Sequence, residues 1–383
     1  MDHFGDGLAF GVAITYVRQT EPRGTAGAIL DELDAVNGTM VVMYGDTMLD
    51  VDLNRFVNAH RHAGAEATLF LHPNDHPHDS DLVAITDDGQ VTGVFPYPHP
   101  EGFIAANLVN AALYVIERSA LLPFQALPGL LDFGKHLFPR MLEAGARLKG
   151  YNSPEYIKDA GTPERVDKVV GDLRSGLINA RSLRSPAPAV FLDRDGVLNQ
   201  EVNRISHPYQ LVLIDGVAAA LKKLNRSFYR TVVITNQPVV ACGDCDEAGL
   251  RRIHDKLETL LGREGAYYDA LYYCPHHPEC GFAGERVDLK IECTCRKPAT
   301  GLIDRACAEL NIDRSRSWFI GDTTVDILAA QRAGIGSVCV ETGHAGKDGR
   351  HPVAADLICA DLGAAVTFIL KEERVTPLVK KTD

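Results

Sequence analysis

Two carboxylates lie two residues apart in Val190-Phe191-Leu192-Asp193-Arg194-Asp195-Gly196-Val197-Leu198-Asn199. The apolar run stops abruptly at Asp193 and a glycine follows the second acid, as in a buried strand that ends in a sharp turn. A fold gains nothing from like charges side by side. The pair is therefore a candidate for chemistry at a strand end, where open α/β sheets bind ligands. Three later segments share the arrangement. Thr231-Val232-Val233-Ile234 runs into Thr235-Asn236-Gln237, whose hydroxyl and amides suit phosphate oxygens. Arg296-Lys297-Pro298 puts two cations in tandem, and Trp318-Phe319-Ile320 ends in Gly321-Asp322-Thr323-Thr324-Val325-Asp326, with two more acids. Acids, a hydroxyl and cations at successive strand ends fit phosphoryl transfer, in which cations must offset repulsion between an anionic nucleophile and a phosphate.

A second cluster carries different chemistry. None of the nine cysteines precedes Cys242, and Cys274-Pro275-His276 is followed after sixteen residues by Cys293-Thr294-Cys295. Two close pairs of soft ligands suit tetrahedral Zn2+, and four protein ligands leave no position for water, so the expected role is structural. His277 and Cys280 are alternative ligands. His276 is preferred because Cys-x-His mirrors Cys-x-Cys. The loop ends at Arg296 and Lys297, so zinc would fix the backbone that carries these cations. Cys242 and Cys245 form a further CxxC, for which a redox or metal role stays open.

These groups need a scaffold of strands and helices. Strands are predicted at 190–192, 231–234, 317–320 and 337–340, and Leu250, Ile253, Leu257 and Leu260 give an intervening helix an apolar face. Strand–helix alternation predicts a mainly parallel sheet covered on both sides. In the first half, 12–17, 40–44, 67–71 and 110–116 read as strands and Gly24 to Leu33 as a helix. Two α/β domains follow: residues 1–170, a linker at 171–188 marked by Ser-Pro-Ala-Pro at 185–188, a second domain at 189–370, and a tail at 371–383.

Composition narrows the partners. The chain has 383 residues, 45% hydrophobic and 23% charged, with a formal net charge of -12. That balance argues against nonspecific binding to nucleic acid or an anionic membrane, while leaving phosphorylated substrates open to a metal or local cations. No stretch reaches the length of a membrane span and no signal-peptide pattern opens the chain, so a cytoplasmic location is expected.

In their order, the four strand-end segments resemble the haloacid dehalogenase (HAD) superfamily of phosphohydrolases: DxD, Thr after an apolar strand, Lys, then GDxxxD. The resemblance implies a doubly wound parallel sheet. It makes Asp193 the nucleophile that becomes an aspartyl phosphate and Asp195 the acid and base. Thr235 and Lys297 hold the phosphoryl oxygens, with Asn236 and Gln237 grouped as substrate-binding. Mg2+ would be held by Asp193, the Asp195 carbonyl and Asp322, with Asp326 in support. DRDGVLN, TNQ and CPHH…CxCRKP further resemble the D-glycero-D-manno-heptose 1,7-bisphosphate phosphatases, with the related histidinol-phosphate phosphatases as an alternative. By that resemblance Arg296 contacts a sugar bisphosphate, while Cys242 stands where the family usually has Arg.

The first half resembles the sugar-1-phosphate nucleotidyltransferases through Pro22-Arg23-Gly24-Thr25-Ala26-Gly27-Ala28, Gly45-Asp46 after a strand, Asn110 in LVNAALY, and Asp159-Ala160-Gly161-Thr162-Pro163-Glu164. The resemblance implies an incomplete mixed sheet, a nucleotide or nucleotide-sugar partner, and catalytic Mg2+ on Asp46 and Asp159. The glycine start at Gly24 and Thr25 is expected to accept a nucleobase or phosphate. The family's Gly-rich signature, its Pro-Lys-Pro segment and a Lys near Phe95-Pro96-Tyr97-Pro98 have no counterpart, and an exposed sheet edge is expected. This half is therefore expected to be impaired in guanylyl-type transfer, with a noncatalytic binding or scaffold module as the alternative.

Overall fold

A computed structural model describes residues 3–375. The first half carries strands β1 (Thr39–Met43), β2 (Thr47–Asp50), β3 (Ala67–His72), β4 (Leu82–Ile85), β5 (Val91–Phe95), β6 (Val109–Glu117), β7 (Leu148–Asn152) and β8 (Tyr156–Asp159). The main sheet runs β5-β4-β6-β3-β7, with β1 also paired to β6, and β2 and β8 form a separate ribbon. Among the described strands of this sheet only β3 and β7 pair in parallel, so the sheet is mixed. Leu69, Leu71, Tyr114 and Ile116 point into one core and Phe70, Leu113 and Val115 into the other, the period-two alternation of strands buried on both faces.

Residues 12–17 do not form the expected strand. Val12 and Val17 are exposed, and no described strand lies beside them to share ladder hydrogen bonds. Among the described residues, β1 pairs on one side only, with β6. Val41 and Met43 are 47% and 55% exposed, so an apolar sheet edge stands open.

The connector is more ordered than a linker. A helix at Pro163–Ser175 crosses the boundary at 170, and after Gly176 in the left-handed region a second helix covers Leu177–Arg181. The buried Arg181 guanidinium forks onto Asp269 at 2.8 and 2.9 Å and donates to the Asn225 carbonyl at 3.1 Å. A neighbouring buried cation, Arg230, donates to the carbonyls of Ser182 at 2.8 Å and Asn311 at 2.8 Å. Side-chain bonds, which composition does not reveal, hold this segment in place. At the other end, the last helix runs over Leu362–Val375, past the expected start of the tail. The rest of that tail lies outside the described residues.

The second half is a six-stranded sheet of β9 (Ala189–Leu192), β10 (Arg230–Asn236), β11 (Ala270–Cys274), β12 (Trp318–Gly321), β13 (Gly336–Val340) and β14 (Leu357–Cys359). Its order is β11-β10-β9-β12-β13-β14 and every pairing is parallel. Val190 and Leu192 pack under the helices Val217–Asn225, Glu247–Arg263 and Leu362–Val375. Ala189 and Phe191 pack under Gly301–Glu309 and Thr324–Ala333. Each fully buried Val, Leu or Phe in these layers contributes about 1.5–3 kcal/mol. The chain leaves β9 to one side for β10 and later returns on the other for β12. That reversal places a crevice at the carboxyl ends of these three strands.

Candidate active site

The crevice gathers the sequence-predicted acids and cations. Asp193 follows β9, Thr235 lies on the last turn of β10, and Asp322 follows β12. The buried Lys297 ammonium lies 2.9 Å from Asp193 and 2.6 Å from Asp326. Asp326 also accepts from the Thr323 hydroxyl at 2.6 Å, closing the first turn of its helix. Asp193, Asp322 and Asp326 bring carboxylate oxygens within 4.8 Å of one another. Burial, reinforced by Asp326 and Asp322, pushes the Asp193 carboxyl well above the usual carboxylate range against the pull of Lys297. Burial likewise pushes Asp322 up to about 7. A site that resists negative charge in this way, with oxygen donors converging, fits a divalent cation such as Mg2+.

Backbone shape makes room for these groups. Gly196 has φ of 75°, and a Cβ there would collide with the Asp322 carboxylate. Gly343 excludes a Cβ for the same reason. Its neighbour His344 donates a backbone N–H to Asp322 at 2.7 Å, and the Thr342 hydroxyl donates to the Gly196 carbonyl at 2.6 Å. Sequence reasoning missed this loop after β13. Its signal was another strand end, Val340, followed by Glu341-Thr342-Gly343-His344.

Asp195 is held differently from Asp193. Burial opposes its ionisation, but Arg194, Asn199 and Gln237 more than offset it and bring its carboxyl below the ordinary range. The fully buried Arg194 contributes contacts of 2.9, 2.9 and 3.2 Å, Asn199 Nδ2 one of 2.9 Å, and Gln237 Nε2 one of 2.7 Å. Arg194 and Asn199 were not singled out from the sequence, although one lies between the two acids and the other four residues after Asp195.

Two residues expected as substrate contacts have their amides engaged inside the site. Gln237 Nε2 also donates to the Thr235 hydroxyl at 2.9 Å. Asn236 Oδ1 accepts from the Lys297 N–H at 3.0 Å, and its Nδ2 donates to the Lys297 carbonyl at 3.1 Å. Gln237 therefore positions Asp195, and Asn236 clamps the backbone that delivers Lys297.

Cys274, His276, Cys293 and Cys295 form one group with ligand atoms within 4.8 Å. Their separations run from 3.2 Å (Cys295 to Cys274, to Cys293 and to His276 Nδ1) to 3.7 Å (Cys274 to His276 Nδ1). Tetrahedral zinc with bonds of about 2.3 Å spaces its sulfur ligands about 3.7 Å apart, so the set fits that ion. His277 and Cys280 instead face the carbonyls of Glu279 and Pro278. Arg296 donates to the His276 carbonyl at 3.0 Å, tying the cation pair to the cluster.

The first half shows a less open picture. Asp46 and Asp159 come together near Gly161, but Asp159 is ion-paired with Arg165. Gly24 and Thr25 do not offer a helix start to a ligand. The N–H groups of Ala26 and Gly27 donate to the Leu131 carbonyl at 3.0 and 3.3 Å, and the Thr25 hydroxyl donates to Asp132 at 2.8 Å. Asp46, Asp159 and Asn110 line a cavity of about 950 Å³ between the halves, away from Asp193. Among the described residues, no helix is long and apolar enough to cross a membrane.

Comparison with known proteins divides the chain in the same way. Residues 294–365 match the HAD-hydrolase-like family and residues 1–174 the Nucleotidyl transferase family. The D-glycero-beta-D-manno-heptose-1,7-bisphosphate 7-phosphatase of Vibrio cholerae is 38% identical over 157 residues, covering 41% of this chain and 82% of that protein. The D-glycero-D-manno-heptose-1,7-bisphosphate 7-phosphatase of Thermosynechococcus vestitus is 39% identical over 191 residues, covering 48% and 96%. Among solved structures, the D,D-heptose 1,7-bisphosphate phosphatase from B. bronchiseptica, complexed with magnesium and phosphate, is 31% identical. It covers 48% of this chain and 99% of that one, with a TM-score of 0.43.

Proposed function

Because the chain belongs, through its second half, to the D-glycero-D-manno-heptose-1,7-bisphosphate 7-phosphatase family, we propose that it removes the 7-phosphate of D-glycero-D-manno-heptose 1,7-bisphosphate and leaves heptose 1-phosphate. The observation that carries this reading is the convergence of Asp193, Lys297, Asp322 and Asp326 in the crevice that Asp195 and Thr235 complete. In the proposed reaction an Asp193 oxygen attacks phosphorus, the bond to the sugar oxygen breaks, and an aspartyl phosphate forms. Asp195 protonates the departing sugar oxygen, then takes a proton from the water that hydrolyses the intermediate. Arrival of a phosphate dianion favours the protonated form of Asp195 against the pull of Arg194, Asn199 and Gln237. Lys297 and Thr235 hold phosphoryl oxygens, and Arg296 faces the rest of the bisphosphate.

Asp193, Asp322 and the Asp195 carbonyl would hold Mg2+, with Asp326 supporting them. When bound, the ion offsets the negative charge of the phosphoryl group. Cys274, His276, Cys293 and Cys295 would hold a structural Zn2+ that fixes Arg296 and Lys297. For the first half we propose impaired nucleotidyl transfer, supported by the occupied helix start at Ala26 and Gly27 and by Arg165 on Asp159.

Phosphate release from the heptose bisphosphate, with Mg2+ and with chelator, tests the phosphatase reading. Asp193→Asn is expected to lose activity on the order of a thousandfold, and full activity in that variant would refute the mechanism. Faster turnover of histidinol phosphate would refute the substrate. Pyrophosphate release from GTP and heptose 1-phosphate would refute the reading of the first half.

A further inference from the structure

The loop after β13, residues 342–351, grips the turns of the phosphatase crevice at several points. The Thr342 hydroxyl holds the Gly196 carbonyl at 2.6 Å, in the turn that follows Asp195. The His344 N–H donates to the Asp322 carboxylate at 2.7 Å, and the Gly346 N–H donates to the Asp322 carbonyl at 2.7 Å. Asp322 is thus held by its side chain and by its backbone. Between those two donors Ala345 has φ of 53°. This left-handed conformation is disfavoured for a residue with a Cβ and persists where surrounding contacts impose it, commonly at functional sites.

The anchor of the loop is Asp348, whose side chain is 4% exposed. Its Oδ1 accepts the Thr324 N–H at 2.7 Å and its Oδ2 accepts the Thr324 hydroxyl at 2.8 Å. The same hydroxyl accepts from the His351 N–H at 3.1 Å. The exposed Arg350 stands 4.0 Å from the carboxylate.

Thr324 opens the helix Thr324–Ala333 and lies two residues after Asp322 and two before Asp326. Its N–H is one of the donors that a helix start leaves without an internal partner. Thr323 and Asp326 close a capping box within the first turn, and Asp348 adds a second cap from a distant loop. A carboxylate in that position also complements the positive end of the helix dipole. Asp348 is not among the acids whose oxygens converge for a cation. Its contacts fall on the residue that links two of them.

We propose that Asp348 is a positioning residue of the phosphatase. Through Thr324 it fixes Asp322 and Asp326 together relative to Asp193 and Lys297, and so sets the affinity of the crevice for a divalent cation. The inference rests on the reading of that crevice as a metal site.

The test is Mn2+ binding to the full chain without substrate, read by electron paramagnetic resonance of the free ion. Mn2+ shares the oxygen-ligand preference of Mg2+. Asp348→Ala removes both acceptors and is expected to weaken binding about tenfold, the scale of outer-shell substitutions at metal sites. Asp348→Asn keeps an acceptor for the Thr324 N–H and is expected to stay within about twofold of the unsubstituted chain. Thr324→Val removes the hydroxyl alone and is expected to weaken binding about fivefold, which keeps the test open if Asp348→Ala does not fold. Asp322→Asn, which removes a ligand, is expected to lose binding.

A lowered melting temperature with unchanged Mn2+ affinity in Asp348→Ala, or unchanged affinity in Thr324→Val, would make the anchor structural only and overturn the proposal. A loss in Asp348→Asn equal to that in Asp348→Ala would assign the effect to charge and overturn it as well. Full binding in Asp322→Asn would refute the metal reading of the crevice, and the proposal with it. No substrate enters the titration, so a failed bisphosphate assay leaves its result interpretable.

Discussion

Gln237→Leu separates a positioning role from a substrate contact. The substitution keeps the bulk of the buried side chain and removes the Nε2 donor. That donor reaches Asp195 at 2.7 Å and the Thr235 hydroxyl at 2.9 Å. A hydrogen bond to a charged group is worth about 1.5–3 kcal/mol, roughly 10- to 150-fold in rate if the loss is felt in the transition state. Arg194 and Asn199 still grip Asp195 at 2.9 Å each, which bounds the loss at the upper end. The expected result, from steady-state phosphate release on the heptose bisphosphate, is a fall of kcat within that range and a KM changed by no more than about twofold. Losing one donor to the ionised carboxylate also raises the Asp195 pKa, so the limb of the kcat/KM profile that reports this group moves to higher pH. A raised KM at constant kcat would make Gln237 a substrate contact and refute the argument. An unchanged enzyme would refute it equally.

Three further perturbations probe the metal cluster, the connector and a half-buried carboxyl. Cys295→Ser removes the sulfur that lies 3.2 Å from all three partners; metal analysis is expected to fall from about one zinc per chain, with phosphatase activity falling alongside. Unchanged zinc would exclude this ligand set. Arg181→Ala strands the buried Asp269 and is expected to cost about 3–5 kcal/mol in denaturant unfolding, whereas Arg181→Met with Asp269→Leu is expected to recover most of it. Burial, then Glu258, pushes the Asp255 carboxyl up to about 7 against Arg251 and Arg252. The native state then holds this proton more tightly than the unfolded chain does, so stability falls as pH rises from about 4 to 7 and stays lower above that. Asp255→Asn is therefore expected to gain ~1–2 kcal/mol at pH 8, allowing for partial exposure, and nothing at pH 4. An equal gain at both values would exclude titration as the cause.

The phosphatase crevice was legible because each of its parts is an interruption of a strongly apolar strand. Residues 190–192, 231–234 and 319–320 are buried, so a carboxylate or hydroxyl close after them marks the carboxyl edge of the sheet. The zinc set was legible because ligand spacing survives any detail of the loop between the pairs. Division of labour among the amides was not. Asn236 and Gln237 are neighbours of the same chemical type, yet one clamps the Lys297 backbone and the other holds Asp195. The direction of each side chain at a strand end decides this, and spacing along the sequence does not encode it.

The same limit explains the first half. Gly24-Thr25-Ala26-Gly27 reads as an open helix start because sequence shows donors and not their partners. The partner, Leu131, is more than a hundred residues away, and its carbonyl takes two of the N–H groups that a phosphate would need. Arg165 stands on Asp159 in a similar way, an i, i+6 pair that only the turn into its helix brings together. Occupied donors and a paired acid act in the same direction, against a nucleoside triphosphate.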